Sequence, residues 1–313
     1  MKSLLNKIFF RSNNLNYVSQ NIKELSKRTP AHKIFEAINF YSSESEVRYV
    51  GGCIRKIINR EKVDDIDLAT NLDPKQVCEA LKANKINYYE TGIEHGTITA
   101  VINDFKFEIT SLREDVLTDG RHAKVKFSKN WKEDALRRDF TINSIYSDEV
   151  GNIFDPFDGT RDLEKGLINF IGETEKRIKE DYLRILRYLR FFSNYSKHPH
   201  NLETIRKLKK NIHGVSNLSK ERLFDELKKI TKLETLEKLS KNKLSSELIL
   251  MIFPELKKLN CFSKLDIDKK DFLKKSDYNF LLALMIIDGT DNTDYFLYKF
   301  NISKKDRKRI KII

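Results

Sequence analysis

The chain has 313 residues, enough for two or three modules with their own cores. Its 59 Lys and Arg against 46 Asp and Glu leave a net charge of +13, which favours a polyanionic partner, RNA or DNA ahead of an anionic membrane. Cys53, Cys78 and Cys261 are widely spaced and odd in number, supporting neither a disulfide framework nor a cysteine-type zinc site, and no apolar run approaches the roughly 18 to 20 residues of a membrane span.

The first residues, Met1 to Asn14, are basic, lack acids and place Leu4, Leu5, Ile8 and Phe9 on one side of a helix. They read as a first structural helix, with an organellar presequence as the alternative, so the cytoplasm is expected and the mitochondrial matrix is the other compartment to consider. Val47–Val50 is a short strand closing on Gly51-Gly52, and Cys53 to Ile58 opens a helix. Asp65 to Ala69 reads as a second strand, and Thr97 to Ile102 with Phe105 to Leu112 as a hairpin across Asn103-Asp104. Up to about Asp162 the pattern is mixed α/β. Beyond Leu163 it is almost wholly helical. There Ile178, Tyr182, Ile185, Leu186, Leu189 and Phe192 recur at steps of three and four, the mark of one amphipathic helix. Another helix starts after Ser219, an N-cap, and carries Leu223, Phe224, Leu227 and Ile230. Six of the last thirteen residues are Lys or Arg.

The chemistry is concentrated in the first half. Asp65 and Asp67 stand two apart on a predicted strand, so both carboxylates project from one face while Ile66 and Leu68 enter the core. Like charges so close are costly unless a cation compensates them, and Mg2+ with a substrate phosphate does so. Taken alone, such a pair is more often a solvated turn. The preceding Gly51-Gly52 alters that, because a strand entering a helix through two glycines lets backbone N–H groups come close to a phosphate. Glu108 alternates with apolar Phe107 and Ile109, faces the same side as the aspartates, and is a candidate third acid.

These residues resemble the bacterial-type class II tRNA nucleotidyltransferases and poly(A) polymerases, of the polymerase-β-like nucleotidyltransferase superfamily. Gly51-Gly52-Cys53-Ile54-Arg55 followed by Asp64-Asp65-Ile66-Asp67-Leu68-Ala69-Thr70 is similar to the catalytic motif. Glu94-His95-Gly96-Thr97 and Phe107 to Arg113 resemble the next strand pair, and Asp119-Gly120-Arg121-His122 the tip of the flexible loop. Arg137-Arg138-Asp139-Phe140-Thr141-Ile142-Asn143 resembles the ribose-recognition motif, Asp155 to Leu163 the hinge, Glu180 to Arg187 the base-selecting motif, and Ser219 to Ile230 the following neck helix. The resemblance runs from Val47 to Ile230, 184 of 313 residues. It departs where Lys56 replaces the usual acid after the motif arginine and where Asn59 replaces a usual glycine; Lys56 is expected to add charge beside the phosphate site.

Glu180, Asp181 and Arg184 stand at helical spacings and are expected to share one face, continued by Arg187. Arg184 can donate to the acceptor edge of cytosine or adenine, and Asp181 can accept from the exocyclic amine of either, contacts each discriminating by roughly 1 to 3 kcal/mol. By itself this set would read as a surface ion pair worth less than ~1 kcal/mol. In Arg137-Arg138-Asp139 the cations suit phosphate and the carboxylate suits ribose hydroxyls.

The resemblance implies an α+β protein, a mixed-sheet polymerase-β-like head over 1–162, an all-α neck over 163–232 that selects the base, and a helical body or tail over 233–313 that binds RNA. It implies addition of CCA, or its terminal A, to the 3′ end of tRNA from CTP and ATP, with Mg2+ held by Asp65 and Asp67 and no zinc or organic cofactor. Gly51, Gly52, Arg55, Arg138, Asp139, Arg187 and Arg190 are expected to grip phosphate or ribose, and Asp181 with Arg184 to choose the base. Neither a membrane nor an obligate protein partner is implied. A poly(A) polymerase is the alternative within the class, and a non-catalytic RNA-binding protein with a relic head the alternative outside it.

Overall fold

The structure, a computed structural model, describes residues 16–118 and 123–313, and of residues 91, 115–118, 123 and 124 the backbone alone. The segment Met1 to Asn14 and the loop tip Asp119 to His122 lie outside the described residues. The chain folds as two compact units, one of residues up to 165 with 169–172, the other of 166–168 and 173–313.

The first unit opens with helix α1, described over 16–28, and α2 (Ala31–Asn39). Its strands are β1 (Val47–Val50), β2 (Ile66–Thr70), β3 (Asn87–Gly92), β4 (Thr97–Ile102), β5 (Phe105–Ser111), β8 (Tyr146–Ser147) and β9 (Ile153–Phe154), hydrogen-bonded in the order β3-β4-β5-β2-β1-β8-β9. A separate two-stranded sheet pairs β6 (Arg113–Thr118) with β7 (Ala123–Phe127). The sheet is mixed because β2 runs parallel to β5 and antiparallel to β1. Along β4 every second side chain is buried, so one face is packed, as the alternation predicts. The β4–β5 turn falls at Asn103-Asp104, with Asn103 in the left-handed region at φ 53°, where Asn is better tolerated than most residues.

The remaining helices of this unit are α3 (Gly52–Ile58), α4 (Pro74–Ala83), α5 (Trp131–Arg137) and α6 (Gly159–Lys165). Asp73 caps α4 in a reciprocal pair with Gln76, followed at once by Pro74, a strong local start signal. The core holds Tyr49, Phe35, Phe107, Phe140 and Tyr146, each almost wholly buried; a fully buried Phe contributes about 1.5 to 3 kcal/mol.

The second unit is all helical: α7 (Thr174–Glu180), α8 (Leu183–Tyr195), α9 (Leu202–Asn211), α10 (Lys220–Ile230), α11 (Leu233–Lys241), α12 (Lys243–Ile252), α13 (Ile267–Lys274), α14 (Tyr278–Ile286), α15 (Asn292–Lys299) and α16 (Lys304–Ile312). Side-chain oxygens open many of them. Asn201, Ser219, Asn242, Asp266, Asp277 and Ser303 each accept a backbone N–H from the first turn of the helix that follows. The expected Ser219 cap and the apolar face of α10, with Phe224, Leu227 and Ile230 buried, are both present. The single helix expected across 178–192 is broken: α7 ends at Glu180, Asp181 is extended (φ −155°, ψ 105°), and α8 starts at Leu183. The Asp181 carboxylate accepts the Leu183 N–H at 3.1 Å, offering the backbone a partner other than the helix ladder.

Candidate active site

In the first unit the chain leaves β1 through Gly51, whose φ of 65° and ψ of −110° suit a residue without a Cβ, and enters α3 at Gly52. A methyl on Gly52 would lie 3.7 Å from Asp67 Oδ2, so the second glycine leaves open the space beside that carboxylate. The acid-bearing strand predicted from Asp65 to Ala69 runs from Ile66 to Thr70; Asp67 is inside it, and Asp65 is exposed one residue ahead. Asp67 and Glu108 are register partners across the parallel β2–β5 ladder, which puts both on one face. Burial pushes the Asp67 carboxyl above the ordinary aspartate range, and the charges of Glu108 and Asp65 push it further, against Arg138 and Arg55. This is a set of anionic oxygens short of positive charge.

Two arginines supply part of it. Arg138 donates through Nε and Nη2 to Asp134 Oδ2 at 3.2 and 3.1 Å, through Nε to the Tyr146 hydroxyl at 3.0 Å, and through Nη1 to the Asn143 carbonyl at 3.4 Å. Asp134 also takes Arg137 at 2.7 Å and the Tyr146 hydroxyl at 2.7 Å. Burial alone would raise the Asp134 carboxyl, but Arg138, Arg137 and Tyr146 outweigh it and hold it at about 2. Arg55, itself buried, donates to Asn143 Oδ1, and Asn143 Nδ2 donates to Asp139 Oδ1 at 2.8 Å. Asp139 is only 6% exposed and accepts the Phe140 N–H as well, so its carboxylate also serves to order this turn. Of the groups that orient the arginines, sequence reasoning missed Asp134 and gave Asn143 only its place in the motif resembling ribose recognition. The spacing of Asp134 to Arg137 and Arg138, three and four along a helix, was the available signal.

Lys56, expected to add charge beside the phosphate site, has its ammonium 3.1 Å from Asp64 Oδ2. Among the described residues no group of three His, Cys, Asp or Glu side chains is placed to hold a metal ion, which leaves the exposed Glu108 as an electrostatic neighbour of Asp67. Two hard carboxylates two positions apart, one of them disfavoured as a bare anion, do fit Mg2+, which prefers one or two protein carboxylates together with waters and substrate phosphate.

In the second unit the residues expected to select the base are engaged differently from expectation. Arg184 donates to Glu180 Oε2 and to the Arg177 carbonyl, each at 2.8 Å. Asp181, turned out of the helix by the break, accepts from Arg222 of α10 at 2.8 Å, a partner that sequence reasoning did not name. The face expected to join Asp181 and Arg184 on one helix is therefore absent, because the two straddle the break. Arg187 lies 5.5 Å and Arg190 4.1 Å from the Phe191 ring centroid, and Arg190 also pairs with the buried Glu226 at 2.5 Å.

Residues 47–169 match the family described as the poly A polymerase head domain. Over that stretch the chain is similar to this head domain. The chain is 44% identical over 194 residues to the Homo sapiens CCA tRNA nucleotidyltransferase 1, mitochondrial, a match taking in 61% of this chain and 45% of the human one. It is 33% identical over 267 residues to the CCA-adding enzyme of Staphylococcus aureus, across 85% of this chain and 63% of that one. The chain thus spans less than two thirds of the length of these relatives. In fold it resembles the Bacillus stearothermophilus CCA-adding enzyme, solved in complex with CTP, at a TM-score of 0.66 and 24% identity over 89% of this chain and 67% of that one. The mixed-sheet head followed by helices is the fold of these nucleotidyltransferases. Among the described residues no helix is long and apolar enough to cross a membrane.

Proposed function

We propose that this chain extends the 3′ end of tRNA with CCA, or its terminal A, from CTP and ATP, without a nucleic-acid template. The observation that carries the reading is Asp67: a half-buried strand carboxylate, held against its own ionisation, with Gly52 leaving the space beside it open and Asp65 two residues away. The choice of CCA over poly(A) is supported by the names of the relatives at 33% and 44% identity.

In this reading residues 1–162 carry the chemistry, 163–232 choose the nucleotide and 233–313 hold the RNA. The 3′-hydroxyl attacks the α-phosphate of the incoming nucleotide, the bond to the β-phosphate breaks, and pyrophosphate leaves. Asp65 and Asp67 would hold Mg2+, which when bound favours the deprotonated hydroxyl and neutralises the triphosphate. Arg138 and Arg55, oriented by Asp134 and Asn143, face the phosphates; Asp139 is offered to the ribose; Arg187 and Arg190 are offered to phosphate or ribose. Asp181 and Arg184 read the exocyclic amine and ring acceptor that C and A share. That reading requires Asp181 to exchange Arg222 for the base, or to keep both.

The test is a tRNA trimmed of its last three nucleotides, incubated with CTP and ATP and sequenced at its 3′ end. Addition of CCA, or of A alone to a tRNA already ending in CC, supports the proposal. A long run of A supports the polymerase alternative, and no extension by the full chain refutes both.

A further inference from the structure

Asp65, unlike Asp67, is not fixed by a strand ladder. The pairing of β2 with β5 starts at Ile66, and Asp65 ends an irregular run, 61–65, that is largely exposed. Two of the contacts joining that run to the head come from one residue of α3. The Lys56 carbonyl accepts the Glu61 N–H at 2.8 Å, and the Lys56 ammonium lies 3.1 Å from Asp64 Oδ2, next to Asp65 in the chain. The run is thus held near its start and near its end by the backbone and side chain of the same lysine, which sits one turn into the helix that Gly52 opens. The Lys56 side chain is only 23% exposed, against 58% for that of Asp64, so the lysine is the more constrained half of the pair.

We propose that Lys56 is a positioning residue: with Asp64 it clamps the run before β2 and so sets where the Asp65 carboxylate stands relative to Asp67. The inference rests on the reading of Asp65 and Asp67 as the metal-holding pair. It gives the lysine found where relatives by resemblance carry an acid a role through Asp64, with no contact to substrate. A different role for the same residue would be to dilute the negative charge of Glu61, Asp64, Asp65 and Asp67. Lys56→Ala separates the two, because losing a clamp weakens cation binding whereas losing a diluting positive charge strengthens it.

The experiment uses the full chain, CTP, and Mn2+ as the probe, with unbound Mn2+ counted by electron paramagnetic resonance. Lys56→Ala and Asp64→Ala should each weaken Mn2+ binding about three- to fivefold, the scale of a partly exposed ion pair. The double reversal Lys56→Asp with Asp64→Lys should return it to within about twofold of the parent, on the same scale. Melting temperatures should stay close to the parent in all three, and incorporation should fall in kcat with KM for CTP little changed. Asp65→Ala, the control for the underlying reading, should lose most of the binding. Parent-like Mn2+ affinity in Lys56→Ala, alongside loss in Asp65→Ala, overturns the clamp alone. A reversed pair as weak as either single variant overturns the clamp, and Mn2+ binding tighter than the parent in Lys56→Ala assigns the lysine to local charge instead. A parent chain that binds no Mn2+ with CTP overturns the metal reading and the clamp together.

Discussion

The half-buried Asp67 and the buried Asp134 are carboxylates of opposite sign in their effect on stability. The Asp67 pKa is raised by burial, Glu108 and Asp65. A carboxyl raised on folding stabilises the native state most below the ordinary aspartate range, and that contribution is lost as pH rises through its folded value. At neutral pH without divalent cations the ionised Asp67 therefore opposes folding. Asp67→Asn should melt above the parent at pH 7 in EDTA while incorporating no nucleotide; a lower melting temperature would contradict the assignment. For Asp134, held at about 2 from an ordinary 3.8, the contribution is present above pH 3.8 and fades as pH falls towards 2. Asp134→Ala should cost about 3 kcal/mol or more in urea unfolding at pH 7, since it leaves Arg137 and Arg138 facing each other without their shared acid. Sequence reasoning found the diglycine and both aspartates because their spacing alone brings them together. It found the arginines without Asp134 because burial, which turns an ordinary helical Asp into an orienting group, is set by β8 and Tyr146 and is not written in the local pattern.

At the scale of elements, what could be read followed the reach of the causes. The β4–β5 hairpin was readable because alternation and a two-residue Asn-Asp turn are local. The break between α7 and α8 was not, because Ile178, Tyr182 and Ile185 keep helical steps across it. Its causes are a side-chain acceptor for the Leu183 N–H and an ion pair to Arg222, 41 residues away. That break puts Asp181 where its carboxylate is steered from α10. Asp181→Ala should relax the exclusion of UTP and GTP, and Arg222→Ala should do so in the same direction by releasing the same carboxylate. Competition of each nucleotide against CTP measures it; unchanged selectivity in both variants would remove Asp181 from base choice.

At the scale of the whole molecule, the proposed function assigns the +13 charge and the basic α16 to RNA affinity and the chemistry to the head. Lys304, Lys305 and Lys308 are exposed, which suits contacts to phosphate. Replacing all three by Ala should flatten the slope of log affinity for tRNA against log salt by about 2 if each meets one phosphate. An unchanged slope would take α16 out of the RNA contact. The division into a mixed-sheet part and a helical part was visible as a change of apolar period; the chain positions that tie 169–172 back to the first unit were not, because that return depends on long-range contacts such as Phe140 with Phe170. The central claim is that Asp65 and Asp67 together make the head a catalyst. Its most direct test is the double variant Asp65→Ala with Asp67→Ala, assayed for labelled CTP and ATP incorporation into trimmed tRNA beside its affinity for the same tRNA. The account predicts abolished incorporation with affinity nearly unchanged, whereas incorporation at the parent rate would contradict it.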